Sequence, residues 1–380
     1  MKRILITGAT GFLGKHLVEQ LASMEPDSRL RILRRGAPPW DVRAHSPRPQ
    51  PALADHTSTD ARDALPSDSL RDGEHSRTVT TVEGHEGRAD PDLQLEVTRG
   101  DINTRDDVMR AAEGITEIYH LAGVVSRNPK KKWLMYQTHV EGTRNVCEAA
   151  RQHGVQKVVH VSSSGTIAVS KGPTVHDENS GYKHEVVGGW PYYLSKIFAE
   201  KLALNYHAQQ QVPIVVVNPS LLLGPGDDRH SSTYDVSLFL RGQILAVPRG
   251  GLNFLDARDA AAGLIGVMRH GRPGERYLLG GANWSFREFL GCLSKVSGVG
   301  APRLQPSLGL SLASAHLLRR LMPLVGKSFP LDDESIKMSA LFWYCDSTKA
   351  RNELGFQTRD PVETLRGTVN YIRSRQPAQL

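Results

Sequence analysis

Ile4-Leu5-Ile6-Thr7-Gly8-Ala9-Thr10-Gly11-Phe12-Leu13-Gly14 stands near the head of the 380-residue chain, and its reading decides the fold. An apolar strand, a glycine turn and a helix, in that order, form a grip for the pyrophosphate of a dinucleotide. Gly8 permits the tight turn, Gly11 lets the backbone approach the phosphates, and Gly14 lets the helix pack closely on the strand. The spacing is GxxGxxG, one residue wider in its first gap than GxGxxG. Leu17, Val18, Leu21 and Met24 continue at helical spacing, so a helix does open at the last glycine. Gly8, Thr10, Gly11, Phe12, Leu13 and Gly14 are therefore the candidate pyrophosphate contacts.

Downstream, apolar runs alternate with amphipathic segments. Strands are expected at Arg3–Thr7, Leu30–Leu33, Leu93–Thr98, Glu117–Leu121, Lys157–Ser162 and Pro213–Asn218, and helices near Thr104–Glu113, Trp133–His153 and Pro191–His207. This pattern predicts an α/β fold with a doubly wound parallel sheet. Residues 36–92 break the rhythm with a Pro-, Asp-, Arg-, Ser- and His-rich stretch, read as a solvated, disordered insertion. Residues 1–220 are read as the dinucleotide-binding domain, to which 251–280 return. Residues 221–250 and 281–380 are read as a smaller, mainly helical substrate-binding lobe over the carboxyl ends of the strands. Leu308–Val325 is its most apolar helix; core packing is the ordinary reading, with lining the pocket of an apolar substrate or resting on a membrane surface as the alternatives.

The catalytic expectation comes from Trp190-Pro191-Tyr192-Tyr193-Leu194-Ser195-Lys196. Pro191 suits a first helical turn, and Tyr192 and Lys196 at i and i+4 share a helix face. A nearby ammonium favours the phenolate and is expected to lower the pKa of Tyr192 toward the working range. Tyr193 has no lysine four residues on, which selects Tyr192. Ser162-Ser163-Ser164-Gly165-Thr166 leaves the fifth strand and supplies a hydroxyl for the reacting oxygen. Ser164 is the first choice and Ser163 the alternate.

Together the glycine loop, Ser164, Tyr192 and Lys196 resemble the extended short-chain dehydrogenase/reductase superfamily, that is, the NAD-dependent epimerase/dehydratase family. Within it the chain looks most like the dihydroflavonol-reductase and 3β-hydroxysteroid-dehydrogenase-like branch. The resemblance implies a Rossmann sheet with a C-terminal substrate lobe, and it covers nearly the whole chain outside 36–92. Gly100-Asp101 and the adjoining Ile102 match a segment near the adenine, and His120-Leu121-Ala122-Gly123 one that flanks the cofactor. Glu141-Gly142-Thr143-Arg144-Asn145 resembles the fourth-helix motif and Asn253–Asp259 a later signature. Pro219 and Lys196 complete the implied cofactor contacts. The family's asparagine ahead of the Val-x-Gly-Thr segment is replaced, in this reading by Thr138.

Cofactor preference is read after the second strand, where Arg34 and Arg35 stand with no carboxylate before Asp41. Arginine there accommodates a 2′-phosphate, so NADP is expected, with NAD the alternative. The expected activity is reduction of a ketone or aldehyde, or oxidation of the secondary alcohol, on a small, hydrophobic substrate. A nucleotide-sugar epimerase and a catalytically idle dinucleotide-binding scaffold are the competing readings. Family dehydratases follow the catalytic hydroxyl with carboxylates, whereas Gly165-Thr166 follows Ser164 here.

Composition bounds the remainder. The chain is 39 % hydrophobic, carries a net charge of +7 and has a mean hydropathy of −0.35. No apolar run of about 18 residues exists to span a membrane, and no aromatic interleaving of basic residues argues for nucleic acid. Cys147, Cys292 and Cys345 have neither metal-site nor disulfide spacing, and no metal is expected. Met1-Lys2-Arg3 leads straight into the first strand, so no secretory signal is expected, and a reducing cytoplasm fits. Relatives of this kind often form homodimers through helices corresponding to Trp133–His153 and Pro191–His207.

Overall fold

A computed structural model describes residues 1–36, 95–126, 129–325 and 331–375. The expected insertion at 36–92 lies almost wholly outside the described residues. Seven parallel strands form the main sheet: β1 (Arg3–Thr7), β2 (Arg29–Arg34), β3 (Leu95–Arg99), β4 (Glu117–His120), β5 (Lys157–Val161), β7 (Ile214–Pro219) and β10 (Arg276–Leu279). Their order across the sheet is β10-β7-β5-β4-β1-β2-β3. Order reverses at β1, the first strand laid down, and the glycine loop leaves its carboxyl end.

Alternation along β1 explains the layering. Ile4 and Ile6 point into a core with Leu17 and Leu21 of the helix Phe12–Met24 and with Leu264 and Ile265 of the helix Ala257–His270. Leu5 points the other way, into a core with Ala111, Val146 and Ala203. Those three residues lie on the helices Arg105–Ala112, Gly142–Gln152 and Pro191–Gln210. Every β7 residue is buried, as a strand covered on both faces requires.

Beside this sheet stands a second, mixed one that the helical reading of 221–250 and 281–380 did not include. Its strands are β6 (Val175–His176), β8 (Leu221–Leu223), β9 (Gly251–Asp256), β11 (Ala282–Ser285) and β12 (Phe342–Cys345). They run in the order β11-β9-β12-β6, with β8 also paired to β9. β9 therefore belongs to the second sheet, while Ala257–His270 and β10 pack with the first. Leu252 and Phe254 of β9 face Phe289, Leu290 and Leu293 of the helix Phe286–Ser297, and Leu365 and Val369 of the helix Pro361–Arg375.

Two helices differ from expectation. Trp133–His153 is not one helix: Lys132–Tyr136 passes through a π-helical turn, Gln137–Glu141, into Gly142–Gln152. Such a turn inserts a residue into the helical ladder and re-aims the side chains on it. The apolar helix Leu308–Leu321 is not core: Ala315 is its one buried residue.

Candidate active site

The sequence-singled segments gather along the carboxyl edge of the main sheet. Gly8 follows β1 with φ +77, and a Cβ there would lie 2.7 Å from Ala122 N and Leu121 C. The glycine thus lets the segments after β1 and β4 touch. Gly11 N–H closes the turn on Gly8 O at 2.9 Å. A Cβ on Gly14 would fall 2.3 Å from Gly8 O, so only glycine lets the helix seat on the loop. No side chain caps that helix and no carboxylate lies in its first turn. Its leading N–H groups and positive dipole end are left for an anion, so this cradle fits a pyrophosphate.

Arg34 ends β2. The exposed Arg35 beside it reaches Asp101 after β3 at 3.8 Å. Asp101 accepts from Asn103 N at 2.9 Å, and Ile102 O accepts from Asn145 Nδ2 at 2.9 Å. Pro219 ends β7, in register with Leu279 of β10. Lys15, one turn into the first helix, pairs with Asp228, and His16 bonds Pro225 O at 2.8 Å. The loop after β8 is thereby tied beside the phosphate cradle.

Tyr192 and Lys196 lie on Pro191–Gln210, which opens with proline in its first turn. Lys196 is buried, and its Nζ donates to Val161 O, at the end of β5, at 2.9 Å. Burial lowers its pKa to about 8, against the opposing pull of Glu200. Tyr192 departs from expectation: burial raises its phenol to about 12, and a hydrogen bond with the Ser163 side chain lowers it only in part. The lysine is therefore not what sets this phenol. The hydroxyl against Tyr192 is that of Ser163, the alternate, which is half-buried. Ser164 is buried in the short 3-10 turn Ser164–Thr166, where its carbonyl accepts from Ala168 N at 2.7 Å.

Sequence reading passed over the group that holds this turn. Glu200, one helical turn beyond Lys196, is fully buried. One of its oxygens meets Arg276 at 3.1 Å and Tyr182 OH at 3.2 Å, and the other accepts from Asn218 Nδ2 at 2.9 Å. Asn218 also donates to Ser163 O at 3.1 Å, and Thr166 Oγ1 donates to the same oxygen at 2.8 Å. The carboxylate thus links the catalytic helix to the serine turn. A polar residue with a helical repeat to Lys196 was the available signal, but a helix glutamate reads as solvated until its neighbours are known.

His139 was also missed. It, and not Thr138, directly precedes Val140, and the π-helical turn aims it inward. Val124 N–H donates to its Nε2 at 3.0 Å, so the neutral ring carries its proton on Nδ1, which meets Ser195 Oγ at 2.8 Å. Ser195 Oγ in turn donates to Tyr192 O at 2.8 Å. Burial, with Lys196 and His120 nearby, holds this histidine well below its ordinary pKa. It joins the Leu121–Gly123 segment to the backbone under Tyr192. Beside Tyr192, Tyr193 stacks on Trp343 at 5.0 Å and meets Trp190 edge-on, forming an aromatic wall.

The profile of the NAD dependent epimerase/dehydratase family matches residues 4–280. A putative dihydroflavonol 4-reductase of Synechocystis is 33 % identical over 287 residues, 74 % of this chain and 83 % of that protein. Sterol demethylase protein B of Methylococcus capsulatus is 29 % identical over 292 residues, 74 % of this chain and 86 % of that one. The crystal structure of gox2253 superposes with a TM-score of 0.71 at 25 % identity, covering 98 % of each chain.

Proposed function

We propose, on the premise that this chain belongs to the NAD dependent epimerase/dehydratase family, that it is an NADP(H)-dependent oxidoreductase. It reduces a ketone or aldehyde, or oxidises the secondary alcohol, of a small hydrophobic substrate. The observation that carries this reading is Tyr192 against Ser163, with Lys196 one turn below, at the sheet edge that also bears the glycine cradle.

When bound, a nicotinamide dinucleotide supplies or accepts the hydride. The Gly8–Gly14 loop and the helix it opens would hold its pyrophosphate, Asp101 and Ile102 would flank its adenine, and Arg34 and Arg35 a 2′-phosphate. Tyr192 donates the proton to the substrate oxygen in reduction and takes it in oxidation. Ser163 hydrogen-bonds that oxygen as its charge changes. Lys196 places a cation beneath the site. A phenol held near 12 is protonated at neutral pH, the form reduction needs.

Two further observations favour reduction over dehydration. Gly165-Thr166 follows the serines where a dehydratase would carry carboxylates. Glu200, the carboxylate nearest Lys196 along the catalytic helix, is engaged by Arg276, Tyr182 and Asn218 and has no role open as acid or base. Residues 221–250 and 281–380 are taken as the substrate lobe. The wall of Trp190, Tyr193 and Trp343 supports an apolar substrate, as does similarity to proteins named for a flavonoid and a sterol.

The test is turnover of C4-deuterated NADPH and NADH with hydrophobic ketones, steroids and UDP-sugars. Deuterium is expected in a reduced product, faster from NADPH, and lost with Tyr192→Phe. Sugar isomerisation without net consumption of cofactor would make the protein an epimerase instead.

A further inference from the structure

The helix Leu308–Leu321 packs against Asp333–Met338 through one side, and its other side is exposed among the described residues. Leu310 and Leu317 are 58 % and 57 % exposed, and Leu321 is 48 % exposed. With Ala313 they recur at intervals of three and four and form one outward stripe. Leu304, 74 % exposed, precedes the helix. Leu304 O accepts from Val247 N at 2.8 Å, which brings the exposed Leu245 near the same end. Contiguous leucine of this kind on a folded surface marks an interaction face.

Charge identifies what the face meets. Arg303, Arg319 and Arg320 flank the stripe, and the nearest carboxylates, Asp332, Asp333 and Glu334, stand at the start of the helix on its packed side. Asp333 takes up Arg319 at 2.7 Å, whereas Arg303 and Arg320 are exposed beside the leucines. Two copies meeting face to face would press these like charges together. An anionic surface would complement them. A helix of 14 residues rises about 21 Å, less than a bilayer core of about 30 Å. With arginines in its last turn it suits the interface and not a span.

We propose that Leu308–Leu321 docks this protein on an anionic lipid bilayer, its leucine stripe in the acyl boundary and Arg303 and Arg320 at the headgroups. This surface stands apart from the reductase reading, and either can fail alone.

The experiment is co-sedimentation of the full chain with vesicles of about three parts POPC to one part POPG, beside POPC alone, as salt rises from about 0.1 to about 1 M. Wild type is expected to pellet with POPG vesicles, and to be released by salt or by omission of POPG. Leu310→Gln with Leu317→Gln lowers partition at least about tenfold, and Arg320→Gln about fivefold, with unchanged thermal midpoints. Leu304→Gln, outside the helix, repeats the test should the double variant unfold. Failure of wild type to pellet overturns the proposal, as does equal pelleting of wild type and folded leucine variants. A dimer in sedimentation velocity that the leucine variants split, without vesicle binding, assigns the face to a second copy and overturns it equally.

Discussion

Ser163 and Ser164 are adjacent, chemically identical and separated only by which of them leaves the strand facing Tyr192. Removing a hydroxyl that stabilises developing charge costs about 100-fold in kcat. Ser163→Ala is therefore expected to lose about that factor and Ser164→Ala to stay within about threefold; equal losses would return the role to the turn as a whole. Lys196 carries a second expectation. Its ammonium titrates near 8 when folded and near 10.4 when unfolded. Below pH 8 both states are charged, and the native state bears the cost of a buried cation. Between about pH 8 and 10 the unfolded chain binds more protons, so stability rises with pH. Lys196→Met should abolish turnover, flatten that rise in thermal melts and leave the protein at least as stable at pH 7. The YxxxK spacing made it legible from sequence that Tyr192 and Lys196 sit one turn apart on a single helix. The choice of serine was not, because a turn of three residues decides it. His139 and Glu200 were hidden for a related reason: their roles depend on a π-helical turn and on partners from β7 and β10 that are remote in sequence.

At the scale of elements, strands buried on both faces were legible because a continuous apolar run has few alternatives. The second sheet was not, since its strands are two to six residues long and pair out of sequence order. Its joint to the first sheet is Asp256, the end of β9 and the N-cap of Ala257–His270. The carboxylate accepts from Arg258 N at 2.9 Å and from the Arg258 guanidinium at 2.8 Å, with Arg359 at 3.7 Å. Burial pushes this carboxyl up, yet Arg258 outweighs it and holds the pKa below the usual value. Arg359 continues the link by pairing with Asp259 at 2.7 Å. Asp256→Ala removes a cap and takes the carboxylate from Arg258, while Arg359 keeps its pairing with Asp259. It should cost roughly 3 kcal/mol in urea unfolding, with the far-ultraviolet spectrum of the folded protein unchanged. A loss below about 1 kcal/mol would mean that Arg359 and Asp259 hold the joint alone.

At the scale of the whole molecule, one layer of buried polar groups lies between the main sheet and the helices that carry Tyr192 and His139. His120 and His160 are register partners on β4 and β5 with rings 5.3 Å apart, and His139 and Lys196 belong to the same layer. His120 is held by Thr7 and Thr143 at 2.7 and 3.0 Å, whereas neither nitrogen of His160 has a partner among the described residues. Burial pushes His120 down to about 3, and His139 and His160 well below their ordinary value, with Lys196 adding to each shift. Among the described residues the layer thus admits the Lys196 cation and keeps its histidines neutral. In the unfolded chain these histidines take up protons near pH 6.5. Below that pH the unfolded state binds protons the native state refuses, so stability falls as pH drops toward 3, by up to about 1.4 kcal/mol per pH unit for each histidine. His120, held near 3, keeps that slope down to about pH 3, and His139 and His160 act in the same direction. This loss is expected to set in as pH falls below about 6.5, before the depressed Asp227, Asp228 and Asp256 add their own acid loss. His160→Leu gives up no hydrogen bond to a described residue and removes an uncompensated polar ring. It should raise stability at pH 7 by about 1 kcal/mol and make the acid slope shallower. Chemical denaturation at intervals from pH 7.5 to 4.5 reads both quantities. An unchanged slope would move the acid sensitivity from this layer to the carboxylates, whose loss begins only as pH falls below the ordinary aspartate value.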